Sequence, residues 1–375
     1  MSSLLQRLER NSKSARNSSE RAALNAERAS YLARVGRFAE AKSLIGEIRS
    51  EFGDGHDGLV MIRLMLAEGL LQLFESLNPS AIDRVRRAQF ISHLMQERRL
   101  LALTSAWKAH IEFETSRYDA MFESLETAMT SAEESEHDSN CRIAMVMCDL
   151  NVFCGLAESG QSWFMKSRES ALKDGDRASI EALLYNKAAF QLARLRAESC
   201  FIQVPVEVLK RARMEVASAK NFQDLAQVEA LTSFISLCEA RMYVLEGDFQ
   251  TAITRLDLLR TSGPFASYNF SQDLIDLEIA YCLSKLGQLD KAELILRTLD
   301  SISLASYDID EQLVARWMIH QITLLCGAGH ASQSAQLLET ASGAYIALIE
   351  RLRGGLTSLG ERVAQLQSSK SQVRT

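Results

Sequence analysis

The chain has 375 residues, 47% hydrophobic and 24% charged, with 42 basic against 48 acidic residues and a formal net charge of −6. That balance excludes a general attraction to nucleic acid or to an anionic membrane surface, and no stretch approaches the roughly 18 consecutive apolar residues of a membrane-spanning helix. The seven cysteines are odd in number and form no Cys-x-x-Cys pair. Such thiols suit buried positions in a reducing compartment, and the opening MSSLLQRLERNSKS lacks the apolar core of a signal peptide, so the expected location is cytoplasmic.

Residues 1–20 are polar and basic and are expected to fray or to form a leading helix. Residues 1–42 carry nine Lys/Arg against four Asp/Glu, an asymmetry that by itself does not make nucleic acid an expected partner. A first helical hairpin follows, with Ala29, a turn at Gly36-Arg37-Phe38, then Ala41, Ile45 and Ile48. The second uses Gly69 and turns at Ser76–Pro79; the third uses Ala109 and turns at Ser116-Arg117-Tyr118, then Met121, Leu125 and Ala128. These three small residues stand 40 apart each time. Hairpin four spans 142–173 with a turn at Ser159–Ser162, and hairpin five spans 177–219, turning at Phe201–Pro205. Hairpins six and seven repeat one pattern: Ala240, Gly247, Phe249, Ala252 and Leu256, then Ala280, Gly287, Leu289, Ala292 and Leu296. The glycine takes the positive φ that ends a helix, and the alanines let paired helices close on each other. An eighth hairpin is expected to turn at Gly327–His330, and a separate final helix to run from Ser342 to Gln367. All 3 prolines (Pro79, Pro205, Pro264) fall at expected turns, and no period-two run signals a strand.

The G-x-[F/L]-x-x-A turn, with a small residue seven positions before the glycine, resembles the tetratricopeptide repeat (TPR). Its step of 40 to 44 residues is longer than the usual 34 and is similar to the repeats of MalT-type and other bacterial regulator domains. The resemblance implies an all-α, right-handed superhelical solenoid of about eight antiparallel helix pairs over 21–341. A leading segment at 1–20 and an amphipathic C-terminal helix at 342–375 complete the expected organisation. In that family the groove-facing residue follows the small one, which places Ser30, His110, Arg241 and Tyr281 on the concave face, with Phe113 and Ser284 one turn further on. The competing structural expectation pairs Arg241 with Glu239 or Glu246 and packs Tyr281 between repeats. On the final helix, Ile349, Leu352, Leu356, Leu359, Val363 and Leu366 make one apolar stripe, a homodimer seam or a cap on the end of the solenoid.

No phosphate-binding loop, dinucleotide fingerprint, nucleophile elbow or zinc-protease motif occurs. The six histidines lack metal-ligand spacing. Asp54, His56 and Asp57 lack the alternating acidic spacing of a calcium loop and read as a solvated turn. Asp308 and Asp310 read as caps before a helix near Glu311, and Cys141 and Cys148 as one buried helix face. No catalytic residue, metal or cofactor is therefore expected. The expected function is a non-catalytic scaffold or adaptor that binds a protein segment or peptide in its groove. The alternatives are a sensory or transcription-regulatory protein that binds a signalling ligand, and a structural subunit of a larger complex.

Overall fold

The computed structural model describes residues 3–53, 57–76, 80–226, 232–262, 272–299, 304–327 and 331–373. Asp54, His56, Pro79, Pro264 and His330 lie outside these. Among the described residues there are seventeen α-helices and no strand. A leading helix α1 (Ser3–Lys13) precedes the antiparallel pairs α2 (Ser18–Arg34) with α3 (Phe38–Phe52), α4 (Gly58–Ser76) with α5 (Ala81–Leu94), and α6 (Arg98–Glu114) with α7 (Tyr118–Ser131). Next come α8 (His137–Phe153) with α9 (Ala157–Asp174), α10 (Arg177–Ser199) with α11 (Val206–Ala226), and α12 (Thr232–Glu246) with α13 (Phe249–Ser262). The chain ends with α14 (Gln272–Lys285) and α15 (Leu289–Thr298), then α16 (Ile309–Cys326) and the 43-residue α17 (Ala331–Val373).

The repeat pattern does the packing expected of it. Ala29, Ala109, Ala240, Ala280, Ala41, Ala252 and Ala292 have no exposed surface. A Cβ added at Gly69 would lie 2.9 Å from Val85 Cγ2, so only glycine lets α4 sit this close to α5. Gly247 and Gly287 turn with φ of 81° and 75°. Asp57 caps α4, its carboxylate accepting from the Leu59 and Val60 amides at 3.0 and 3.3 Å.

Three expectations are corrected. Hairpin four turns at Gly155 (φ 75°), and residues Ser159–Ser162 lie inside α9. Gly160 is small because a Cβ there would meet Val152 Cγ2 at 2.9 Å. The boundary expected at 341/342 falls within α17, which is one continuous helix; its Gly355 lies flat against the Phe122 ring, where a Cβ would collide. Asp308 stands at the N-cap position of α16 without capping it, because its carboxylate accepts from Ser116 Oγ at 2.6 Å, 192 residues away.

That last contact belongs to a set that bends the row of pairs back on itself. α1 buries Leu4, Leu5 and Leu8; the Leu4 amide donates to Gly175 O (3.3 Å), and Arg7 pairs with Asp174. On α2, Arg34 reaches Asp176 at 2.7 Å. At the other end, α17 lies along α7, pairing Arg351 with Asp119 and Arg362 with Glu126, while Arg353 donates to Cys154 O at 2.6 Å. Phe113, Met121, Phe153, Ala197, Leu313, Tyr345 and Leu352 share one core cluster drawn from four of the eight pairs.

Candidate functional site

The first helices of successive pairs line the inner face, and two cavities open along it. The C-terminal one, about 110 Å³, is walled by α10, α12, α14 and α16, with Arg196, Arg241, Val244, Tyr281 and Trp317 among its lining. Each of these four helices supplies one charge to a closed quartet. Arg196 reaches Glu278 at 2.7 Å and Glu311 at 2.8 Å; Arg241 reaches the same two carboxylates at 2.9 and 2.8 Å. All four are largely withdrawn from water, where a lone charge would be costly and a ring of opposite charges is tolerated. Burial works against the Glu311 carboxylate, but the adjacent Arg196 and Arg241 hold it down at about 2. Tyr281 packs between repeats, 6.0 Å from Phe249 and 5.2 Å from Trp317, ring centre to ring centre.

The N-terminal cavity, about 60 Å³, lies between α2, α4, α6 and α8, with Leu4 and Leu8 of α1 as one wall. Its acidic lining is paired residue by residue: Glu27 with Arg63, Asp138 with Arg99, Asp174 with Arg7, Asp176 with Arg34. Arg142 differs. It is 3% exposed and forms no ion pair with any described carboxylate; its Nη1 meets Met145 Sδ at 3.0 Å, and its guanidinium lies 3.6 Å from the centre of the Trp107 ring. Stacking of this kind is worth about 2 kcal/mol when desolvated, less than the several kcal/mol per ion that burial costs. Burial, then the like charge of Arg34, pulls Arg142 down to about 10, so it remains charged at neutral pH.

The expected groove residues divide between these regions. Ser30 lines the N-terminal cavity, its hydroxyl turned back to Ala26 O at 3.1 Å. His110 is buried edge-on to Trp107; its Nδ1 has no hydrogen-bond partner among the described residues, and burial followed by Arg142 pushes its pKa well down. Phe113 is core, 4.9 Å from Phe190. Arg241 and Tyr281 meet at the C-terminal cavity, and Ser284 donates to Tyr281 O at 2.7 Å. Arg241 thus pairs one and two repeats ahead, whereas Glu239 binds Lys220 and Glu246 binds Arg213. In the C-terminal stripe, Leu352, Leu359 and Val363 are buried and Ile349 and Leu356 pack on the core, with Leu366 40% exposed. The packing partners of the first five are therefore within the chain. Arg142 and Trp107 belong to no sequence motif, although one arginine inside CRIAMVMC, an otherwise apolar run, is a legible signal.

No protein-family model matches the chain, and no curated protein matches it. A solved structure does: the crystal structure of Rap protein complexed with competence and sporulation factor, with a TM-score of 0.58 over 94% of each chain, at 14% identity. The fold is a TPR-like helical solenoid. At that identity the likeness is one of fold. Among the described residues, no helix is long and apolar enough to cross a membrane.

Proposed function

We propose that this protein is a non-catalytic, cytoplasmic regulator that holds a protein segment against the concave face lined by α10, α12, α14 and α16. The observation that carries this reading is the C-terminal cavity: Tyr281 and Trp317 give an aromatic wall beside a charge quartet whose members hold one another in place. Rigid aromatic walls of this type anchor peptide side chains at small entropic cost. The Rap protein complex adds support, since a chain of this fold is found bound to a factor. The repeat step of 40 to 44 residues supports kinship with the longer bacterial regulator repeats. Direct capture of partners from the native cell tests the reading. Trp317→Ala is expected to lose the co-eluting partner, and Leu172→Glu, at an exposed position on α9, to keep it. Retention of the same partner by both variants would refute the groove assignment.

A sensory role is favoured by one further observation. α17 pairs with α16 at the last repeat and also lies along α7, so a ligand that shifts the last repeat would move a distant one. In that case the partner would compete for the Arg351–Asp119 and Arg362–Glu126 contacts.

A further inference from the structure

The N-terminal cavity has a charge problem that the chain leaves unsolved. Its four acidic lining residues, Glu27, Asp138, Asp174 and Asp176, each have an arginine of their own, and Arg142 is the fifth arginine against those four carboxylates. Arg7 and Arg99 stand outside the lining, and Arg142 is left as one positive charge without a paired carboxylate, more than nine-tenths buried and facing a space of about 60 Å³. Such a space takes a few waters or the head of one small organic anion. A guanidinium recognises a planar oxyanion through paired N–H donors. Four carboxylates around the space repel a dianion. The apolar remainder of the wall (Leu4, Leu8, Leu66, Leu70, Leu103 and Trp107) suits an aliphatic carbon behind the charge.

We propose that this cavity is a subsite for a single carboxylate on a short aliphatic stem, with Arg142 as its counter-ion and Trp107 holding Arg142 in place. The inference deepens the groove reading and rests on it, because the subsite lies on the same inner face, two pairs before α12. The carboxylate is either the free end of a polypeptide or a small carboxylic acid. Both share the chemistry the cavity selects, a monoanion of carboxylate shape.

The test uses the full chain labelled with 5-fluorotryptophan, which gives one fluorine resonance for each of the 3 tryptophans. Trp107→Phe assigns the relevant line. Propionate is expected to shift the Trp107 line saturably, while propionamide and inorganic phosphate leave it in place. Arg142→Met is expected to weaken propionate at least about tenfold, with the Trp163 and Trp317 lines unmoved; where that variant does not fold, the amide control in the native chain decides alone. N-acetylglycine against propionate separates the sources: tighter binding of the former identifies a chain terminus, equal binding a free acid. A shift produced equally by propionamide, or no saturable shift at all, overturns the subsite. Trp317→Ala is expected to leave the propionate response intact. Loss of the propionate response with Trp317→Ala still shedding its partner therefore defeats the subsite while sparing the groove.

Discussion

Replacing Glu278 by glutamine removes one negative charge from between Arg196 and Arg241 while keeping the shape and one acceptor oxygen. The Glu278 side chain is 3% exposed and accepts from both arginines. Taking away one member of a buried pair costs about 3–5 kcal/mol. Here Glu311 still accepts from both guanidiniums at 2.8 Å, which places the loss near the lower end, about 3 kcal/mol. In urea this corresponds to a midpoint shift of about 1 M. The quartet also dictates the outcome for a pair of substitutions. Arg196→Met alone leaves an excess negative charge, and Arg196→Met with Glu278→Gln restores neutrality. The double variant is therefore expected to lose about 1–3 kcal/mol less than the sum of the singles. Equilibrium unfolding of the three variants, followed by circular dichroism, gives the cycle. A loss below about 1 kcal/mol for Glu278→Gln, or strict additivity in the double variant, would show that the four charges do not act as one unit.

Two other outcomes follow from the geometry. Glu181 on α10 is 3% exposed, its Oε1 has no hydrogen-bond partner, and burial raises its carboxyl to about 7. With a folded pKa above the unfolded value of about 4.3, its contribution is fully present below that value and is lost as pH rises through 7, by about 3–4 kcal/mol at about 1.36 kcal/mol per unit. Glu181→Gln should therefore melt higher than the native chain at pH 8 and show no such gain at pH 5; equal effects at both would contradict the burial argument. On α17, a Cβ at Gly354 meets nothing within 4 Å, whereas one at Gly355 strikes Phe122. Gly354→Ala is expected to stabilise by about 0.8–1 kcal/mol. Gly355→Ala is expected to lose about 1 kcal/mol net, since overpacking costs about 1–3 kcal/mol. Equal gains in thermal denaturation would mean that α17 does not rest on α7.

What the sequence made legible was local. A glycine that must turn and an alanine that must admit a neighbouring helix act over seven residues, so Gly36, Gly247 and Gly287 and their partners identify their pairs. Gly160 misled because glycine within a polar cluster reads as a turn, while its real role is to let α9 approach Val152. Long-range pairing was hidden for a different reason. The partners of Arg241 lie 37 and 70 residues ahead, at distances set by the repeat, and a search among neighbours on one helix finds Glu239 and Glu246 instead. The contacts of Leu4 with Gly175 and of Ser116 with Asp308 depend on how much each pair rotates on the last. No single repeat encodes that rotation.

The closure of the row has a consequence for how this molecule tolerates change. In an open array each unit leans only on its neighbours, so a unit is gained or lost at little cost and unfolding spreads from an end. Here Arg34 is tied to Asp176 and Arg362 to Glu126, so both ends are clasped to the interior. Excising one helix pair would put these clasps out of register by a whole repeat. The number of pairs is thus locked by geometry, and melting is expected as a single transition, without fraying from the tips.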